Sequence, residues 1–289
     1  MNKDLTLVFS SYQSQQLLYK ILEQFYKKYK VIVVENSLDR KIKEKIEKKF
    51  QNVDVVIPNE NLGLARSYNL GIKRSKTKFV FLNNPDMKIT DKSIRELLFC
   101  AKKIKNFGAI SPVFQNEKIY KNYKIFNKKK KINLKFFKKF GIVEVDLLDN
   151  NFLISKKNIK KNLFDINFFL FFETLDFTKC LQKSGKKLYA ANKIKFNHFG
   201  SSSLPKKFDN LVQKTRAFHY NWSKFYYLRK HYNYFYAFRK VVPSIIRAIK
   251  KILINIFKFN LKGIQMNFLE LLGIFTAIFL IRAFFRPKN

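Results

Sequence analysis

The sequence predicts an α/β protein with a mostly parallel sheet and a basic helical region towards its C-terminal end. Short apolar runs that predict strands alternate with helix-length segments, at Leu5 to Ser10, Val31 to Val34, Val53 to Ile57 and Phe79 to Leu82. Strands that alternate with helices in this way join by right-handed crossovers into a parallel sheet. After Trp222 the acidic residues nearly disappear, while lysine, arginine and large apolar residues stay frequent.

The intervening segments have helical periodicity or helical composition. Leu18, Leu22 and Phe25 recur at spacings that place them on one helix face. A lysine-rich helix is predicted over residues 40–50, and residues 59–75 supply a third. Residues 141–154 again have the character of strands. These elements are enough to place the polar motifs at the ends of strands.

The composition limits the classes of protein to consider. A chain of 289 residues can form one large domain with an appendage. Its net charge of +39 indicates an anionic partner, such as nucleic acid, acidic lipid or a nucleotide diphosphate. Lys, Asn, Ile and Phe are abundant together, which is also typical of AT-rich coding sequences, so that explanation stays open. Cys100 and Cys180 have no metal-like spacing and favour reduced thiols in a cytosolic protein.

The residues from 59 to 86 carry the most informative pattern. Two Asn-Leu-Gly triplets begin at Asn61 and Asn69, and the strand after them ends at Asn83-Asn84-Pro85-Asp86. Pro85 cannot donate to a sheet ladder, so it ends the strand. A carboxylate just past the carboxyl end of a buried strand lies where open α/β sheets bind their ligands. We therefore expect Asp86 to face a ligand crevice.

This segment resembles the signature of inverting family 2 glycosyltransferases, particularly their rhamnosyltransferase-like branch. That signature has paired Asn-x-Gly triplets, a strand and then Leu-Asn-Pro-Asp. The resemblance implies a GT-A fold, in which a Rossmann-like half with a mixed sheet binds the nucleotide sugar. We predict a glycosyltransferase domain over residues 1–220 and a basic, aromatic, amphipathic helical region over residues 221–289.

The resemblance also implies a set of residues that bind the sugar donor. Glu35-Asn36-Ser37 stands where the family has an Asp-containing turn for the nucleoside, and Glu35 is one methylene longer than that aspartate. A solvated turn acid is the alternative for Glu35, and turn-stabilising roles are the alternative for Asn61 and Asn69. Gly63 and Gly71 are expected to permit tight backbone geometry or close approach. The predicted donor-binding residues are Glu35, Asn36, Asn61, Gly63, Arg66, Asn69 and Asn84.

Asp86 and His198 are expected to bind a divalent cation, with diphosphate binding or a structural or surface role as the alternatives for His198. His198 ends a predicted strand before a Gly-Ser turn, at the spacing that the family has after its acidic helix. Carboxylate oxygens suit Mg²⁺, and a histidine shifts the preference towards Mn²⁺. Asn84 occupies the place of the first acid in an Asp-x-Asp pair and is a weaker ligand. His219 and His231 lack this context and are predicted to be bystanders.

The family's acidic helix is represented by Glu173-Thr174-Leu175-Asp176 after an aromatic run. Residues three apart share a helix face, so Glu173 and Asp176 point the same way from the first turn. First-turn acids also act simply as helix caps. Thr174 replaces the acid often assigned as the base, and threonine cannot accept a proton at neutral pH. We therefore predict Glu173 as the base, with Asp176 orienting it or a substrate hydroxyl.

Two basic regions suggest surface partners. Residues 118–139 carry ten lysines and no acid. The preferred interpretation is a solvated loop, the second is a membrane contact and the third is a nucleic-acid contact. Residues 221–289 carry thirteen Lys and Arg against Glu270 alone. Pro243 is predicted to begin a helix with an isoleucine stripe that lies on anionic membrane, the alternative being a helix packed on its own domain. The longest apolar run, residues 271–281, is short for a membrane span, so none is predicted.

The sequence thus predicts transfer of a sugar from a nucleotide-diphosphate donor to a hydroxyl of a lipid-linked or cell-surface glycan. We expect a cytoplasmic protein, peripheral on the inner face of the cell membrane, with no nucleic-acid partner. The alternative is a non-catalytic membrane- or nucleic-acid-binding relic of a glycosyltransferase, which Thr174 favours. The sugar, the nucleotide and the acceptor are left open.

Overall fold

A computed structural model of the chain describes residues 1–116, 120–126, 138–159, 163–198 and 208–286. The chain divides into two compact units. The sheet unit comprises Met1–Leu62, Arg66–Phe164 and Thr174–Pro205. The helical unit comprises Gly63–Ala65, Asp165–Glu173 and Lys206–Asn289. Much of the lysine-rich segment, residues 118–119 and 127–137, lies outside the described residues, so its three interpretations stay predictions.

The strands and helices follow the predicted alternation. The strands are β1 Leu5–Ser11, β2 Lys30–Glu35, β3 Val53–Val56, β4 Phe79–Asn83, β5 Met87–Lys88, β6 Phe107–Phe114, β7 Tyr123–Lys124, β8 Ile142–Val145, β9 Leu147–Leu148, β10 Phe152–Ser155 and β11 Lys187–His198. The helices are α1 Gln15–Phe25, α2 Arg40–Lys49, α3 Gly63–Arg74, α4 Asp91–Lys103, α5 Lys156–Ile159, α6 Glu173–Lys183, α7 Asp209–His231, α8 Tyr234–Phe257 and α9 Leu261–Ile278. The four predicted N-terminal strands are confirmed within a residue or two at each end.

The main sheet is mixed, with strand order β3-β2-β1-β4-β10-β6-β11-β5 and with β8 paired to β11. Strands β1 to β4 pair in parallel, whereas β10 is antiparallel to both β4 and β6. Strand β7 pairs with β9 separately. The sheet therefore agrees with the predicted fold class, a parallel first half inside a mixed sheet.

Both faces of the parallel half are buried. Leu5, Leu7 and Phe9 of β1 join a core with residues of α1, α2 and α4. Val8 points to the opposite face, where a Cβ at Gly71 of α3 would lie 2.3 Å from its Cγ1 atom. Burial on both faces explains why these strands are continuously apolar in sequence. It also confirms that Gly71 permits a close approach.

The helical unit differs from its predicted boundaries. Helix α7 begins at Asp209 and runs past the predicted boundary at residue 220, because Phe218, Trp222 and Phe225 form one buried row along it. Pro243 lies inside α8 and does not begin it, so that prediction is wrong. The helix is capped by Asn233, whose side chain accepts a hydrogen bond from the Tyr236 amide at 2.7 Å. Asparagine is a strong N-cap, and this cap overrides the proline as the start.

Candidate active site

The carboxyl ends of the parallel strands bring polar side chains to one edge of the sheet. Ser11 is in register with Glu35 between β1 and β2, and Phe9 is in register with Asn83 between β1 and β4. Ser11, Glu35 and Asn83 are all buried. This edge is the place where open α/β sheets bind ligands, and it is the edge at which the sequence predicted the donor.

Glu35 is a fully buried carboxylate that backbone groups hold in place. Its Oε1 atom accepts hydrogen bonds from the amides of Gln13 at 3.2 Å and Ser37 at 3.0 Å. No residue that the structure describes donates to its Oε2 atom. Burial and the charge of Glu35 raise the pKa of Tyr12. The carboxylate therefore has one oxygen fixed by backbone amides and one buried oxygen with unused acceptor capacity among the described residues.

Asn36 connects three segments of the sheet unit. Its amide nitrogen donates to Ser67 Oγ at 3.0 Å and to the Ser11 carbonyl at 3.2 Å. Its Oδ1 atom accepts from the Leu62 amide at 3.0 Å. These bonds fix the segment before α3 against the ends of β1 and β2. The part that Asn36 plays in donor binding stays a prediction.

The other motif residues between positions 60 and 71 have distinct surroundings. Gly63 has a φ of +67°, and a Cβ there would lie 2.3 Å from the Phe169 carbonyl oxygen, which confirms the predicted need for glycine. Asn69 donates to the Phe164 carbonyl at 2.8 Å and accepts from its amide at 2.9 Å. Arg66 forms a 2.8 Å ion pair with Glu60. Asn61 is partly buried, and its predicted role is untested.

Asp86 lies in a turn immediately after β4. The Met87 amide donates to the Asn84 carbonyl at 3.1 Å, which closes a four-residue turn around Pro85 and Asp86. Proline is favoured at the second position of such turns because its φ is already fixed. Asn84 Oδ1 accepts from the buried Tyr68 hydroxyl at 2.8 Å. The turn therefore anchors Asp86 at the sheet edge, as the sequence predicted.

The backbone of His198 lies across from this turn. Strand β11 ends at His198, and its last residue pairs with Met87 of β5 in an antiparallel register. Met87 directly follows Asp86 in the chain. The fold thus joins a carboxylate turn and a histidine-ended strand that are more than a hundred residues apart.

Asn83 was not among the predicted site residues. It is fully buried at the end of β4, and its amide donates to the Met87 carbonyl at 3.4 Å. None of the described residues donates to its Oδ1 atom. The only sequence signal for Asn83 was its place in the Asn-Asn-Pro-Asp run. An Asp-x-Asp pair that ends at Asp86 has its first member at position 84, so Asn84 was predicted instead.

Helix α6 begins at Glu173 after a strained aromatic segment. Phe171 and Phe172 have φ angles of +68° and +63°, a region that bulky residues rarely adopt. Such conformations cluster at functional sites, where the surrounding structure enforces them. Glu173 and Asp176 are 3% and 1% exposed. Acidic residues that only cap a helix can stay exposed to solvent, so the burial of both carboxylates is not explained by capping alone.

Thr174 has a carboxylate partner that sequence reasoning missed. Its hydroxyl donates a hydrogen bond to Oδ1 of Asp149. The other oxygen of Asp149 accepts from the Tyr120 hydroxyl at 2.6 Å. Asp149 lies between β9 and β10, where no local pattern distinguished it from an ordinary loop acid. Thus the position at which the resemblance implies an acid here donates to an acid from another segment.

His219 has a structural role, in agreement with its interpretation as a bystander. It is fully buried, and its Nε2 atom lies 2.6 Å from the Phe285 carbonyl oxygen. A carbonyl only accepts, so Nε2 carries the proton. Burial lowers the pKa of His219 to about 4, the Phe285 carbonyl opposes that shift and the Arg286 charge adds to it. The imidazole is therefore neutral at pH 7.

With this geometry in hand, the comparisons with known proteins decide the family. The model of glycosyl transferase family 2 matches residues 14–163, slightly more than half of the chain. The chain belongs to glycosyl transferase family 2. The matched residues include Glu35 and Asp86, whereas Glu173, Asp176 and His198 lie beyond them. No curated protein sequence matches this one significantly.

Solved structures of glycosyltransferases share the fold. A mannosyltransferase from Pyrobaculum calidifontis in complex with GDP-Man and Mn²⁺ superposes with a TM-score of 0.57 at 11% identity, over 96% of this chain and 88% of that one. GalNAc-T7 with UDP, GalNAc and Mn²⁺ gives 0.57 at 12%, over 79% of this chain and 51% of that one. Staphylococcus aureus TarS, residues 1–349, gives 0.50 at 15%, over 92% and 90%. The family 2 chain described here thus has the GT-A glycosyltransferase fold.

Proposed function

We propose that the chain is an inverting, metal-dependent glycosyltransferase that moves a hexosyl or rhamnosyl group from a nucleotide-diphosphate sugar. The acceptor is a hydroxyl of a lipid-linked or cell-surface glycan, as in the synthesis of cell-envelope polysaccharides. The observation that carries this proposal is the pairing of the His198 backbone with Met87, next to the Asp86 turn at the carboxyl edge of the sheet. That pairing supports the proposal because it brings the backbone of His198 next to the residue that follows Asp86.

The donor's nucleoside would bind at the end of β2. Glu35 offers an oxygen with no donor among the described residues, in a position fixed by two backbone amides. A buried carboxylate can accept from two ribose hydroxyls or from a base edge. The hydrogen bonds of Asn36 fix the loop beside it, so the surroundings of Glu35 are held in place without a ligand.

The residues at the end of β4 fit a hard divalent cation. By residue type, Asp86 would supply a carboxylate and His198 an imidazole, and the buried Oδ1 atom of Asn83 has no donor among the described residues. This mixed oxygen and nitrogen set suits Mn²⁺ and also admits Mg²⁺. A bound divalent cation neutralises the charge that develops on a departing diphosphate. Asn84, whose oxygen already accepts from Tyr68, contributes less as a ligand.

Glu173 accepts the proton of the acceptor hydroxyl in this proposal. The acceptor oxygen then forms the new bond to the anomeric carbon on the face opposite the diphosphate, whose bond to that carbon breaks. Asp176 orients Glu173 or the acceptor from the same helix face. Thr174 accepts no proton in this proposal. Its hydroxyl donates a hydrogen bond to the carboxylate of Asp149. The competing proposal is a non-catalytic relic, which the replacement by Thr174 favours.

A transfer assay with purified protein tests the proposal. A panel of nucleotide sugars is incubated with Mn²⁺, and release of the nucleoside diphosphate is measured with wild type and with Asp86→Ala. Loss of a metal ligand should reduce turnover by several orders of magnitude while the circular dichroism spectrum is unchanged. Asp54→Ala is the matched control, because Asp54 is a partly exposed carboxylate that forms an ion pair with Arg74. Equal turnover of Asp86→Ala and wild type refutes the diphosphate site, and no turnover of any donor by wild type favours the relic.

A further inference from the structure

Helix α8 packs through its small residues and leaves its large apolar residues outside. Its buried positions are Ala237, Val241, Ser244 and Ala248, which recur every three or four residues and form one row. Small side chains let helix backbones approach closely, and α8 packs against α7 and α9 within the helical unit. The predicted isoleucine stripe lies beside this row, so it is not the packing face.

Six exposed apolar residues of α8 form one face, whereas the exposed Ile254 lies among the basic residues. At about 100° per residue these six lie on one flank of the buried row, and most of the lysines and arginines lie on the other flank. A helix of 24 residues extends this face over roughly 36 Å. We define the α8 face as Phe235, Phe238, Ile246, Ile249, Leu253 and Ile256, which are between 42% and 83% exposed.

The corner between α8 and α9 projects further apolar residues. Phe257, Phe259 and Leu261 are 83%, 90% and 79% exposed. The corner is nonetheless well built. Asn260 accepts from the Gly263 amide at 3.0 Å, and its own amide donates to Asn255 Oδ1 at 2.9 Å. Phe259 is held at a φ of +50°, which phenylalanine rarely adopts, so a defined turn presents its ring to solvent.

Charge identifies the surface that this face fits. Between residues 232 and 269 the chain has seven lysines and arginines and no acid. Lys250, Lys251, Lys258 and Lys262 are exposed on α8 or at the corner. A second copy with the same charge of +39 would be repelled. Aliphatic side chains along a whole helix have no counterpart on nucleic acid, which base stacking and phosphates dominate.

We propose that the helical unit binds the surface of an anionic lipid bilayer through the α8 face, with Phe257 and Phe259 at the corner inserted among the lipids. This specifies the surface behind the peripheral location that the sequence predicted, and it does not depend on catalysis. An amphipathic helix with a basic flank and aromatic residues lies in the interfacial plane and binds through apolar burial and attraction to acidic headgroups.

Helix α9 is long and apolar enough to cross a membrane by length and composition alone. In the helical unit, however, α9 buries Leu269, Gly273, Ile274 and Ala277 among neighbouring helices. A Cβ at Gly273 would lie 2.3 Å from the Phe218 carbonyl oxygen of α7. Because α9 packs this closely on α7, we place it in the helical unit at the bilayer surface and not across the membrane. Extraction of the protein from membranes by alkaline carbonate tests this placement.

Flotation with lipid vesicles tests the proposal on the full chain. Vesicles of phosphatidylcholine with 30% phosphatidylglycerol are compared with pure phosphatidylcholine, at low and high salt. Phe257→Ser with Phe259→Ser should weaken binding about tenfold for each residue. Lys250→Glu with Lys251→Glu should weaken binding to anionic vesicles by at least about 30-fold, because each near-surface cation contributes about a factor of five.

Matched controls separate this surface from general stickiness and general charge. Ile166→Ser removes an apolar side chain that is 67% exposed elsewhere in the helical unit. Lys45→Glu with Lys48→Glu makes the same charge change on α2, where both lysines are exposed. These controls should bind vesicles within about twofold of wild type. Release of nucleoside diphosphate should be unchanged in every variant, so failure here is distinguishable from failure of the proposed enzyme activity.

Several outcomes overturn the proposal. Equal binding to neutral and anionic vesicles, or binding that salt does not weaken, refutes an anionic lipid surface as the partner. An equal loss of binding in the α2 control refutes a specific contribution of Lys250 and Lys251. A dimer in light scattering that Phe257→Ser with Phe259→Ser dissociates assigns the face to a second copy. Retention in membranes after alkaline carbonate washing assigns α9 as a span and contradicts peripheral binding.

Discussion

Substitution of Asn69 can distinguish a residue that stabilises the fold from one that binds the donor. Its side chain makes both hydrogen bonds that an amide can make with one backbone residue, at 2.8 Å to the Phe164 carbonyl and 2.9 Å from the Phe164 amide. Asn69→Ala leaves both buried backbone groups unpaired. Each such group costs about 1–3 kcal/mol, so the free energy of unfolding should fall by about 2–6 kcal/mol.

That loss is a large fraction of the roughly 5–15 kcal/mol by which domains are stable. Urea unfolding followed by far-UV circular dichroism measures it, because the single tryptophan, Trp222, reports only on the helical unit. At low temperature, where Asn69→Ala stays folded, its affinity for the donor should match that of wild type. Titration calorimetry measures this affinity with the donor that the transfer assay identifies.

Glu35→Gln is the matched opposite of Asn69→Ala. The change is nearly isosteric and keeps an oxygen for the Gln13 and Ser37 amides. Unfolding should change little, while donor affinity should fall about 10–100-fold, because a hydrogen bond to a charged group contributes about 1.5–3 kcal/mol. Asn69→Ala with full stability and lost donor binding would refute the structural role. Glu35→Gln with unchanged affinity would refute the donor role.

Two further outcomes are expected. Glu173→Gln should leave donor binding nearly intact and slow single-turnover transfer by about 10²–10⁴-fold, and Asp176→Asn should be less impaired; the reverse order of damage would make Asp176 the base. Because the pKa of His219 is lowered from 6.5 to about 4, the unfolded chain binds its proton more readily, so stability is complete above pH 6.5 and falls by about 3 kcal/mol towards pH 4. Trp222 fluorescence in urea measures this loss, and His219→Gln should show less of it.

Local sequence was sufficient for the first half of the fold. Apolar runs bounded by polar turns predicted β1 to β4 because strands buried on both faces are continuously apolar. The place of Asp86 just past a strand end followed from the same reasoning, whereas the roles predicted for Glu35 and His198 came from the family resemblance. Asp86 lies in the predicted turn after β4, and His198 ends the predicted strand.

Other features depended on partners far away in the chain. The pairing of His198 with Met87, the bond between Thr174 and Asp149, and the use of Asn69 to hold Phe164 each join segments with no sequence relation. Their geometry follows from strand register and helix packing, which local periodicity does not encode. The face of α8 that packs inward likewise depends on contacts with distant segments of the chain.

The sequence alone determined which flanks of α8 are apolar and which are basic, because that follows from helical spacing. Only the tertiary structure decided that the row from Ala237 to Ala248 packs inward, leaving the larger residues exposed. A helix with several apolar sides has more than one possible packing face. The choice depends on the shape of the neighbouring helices, since close approach favours small side chains over large ones.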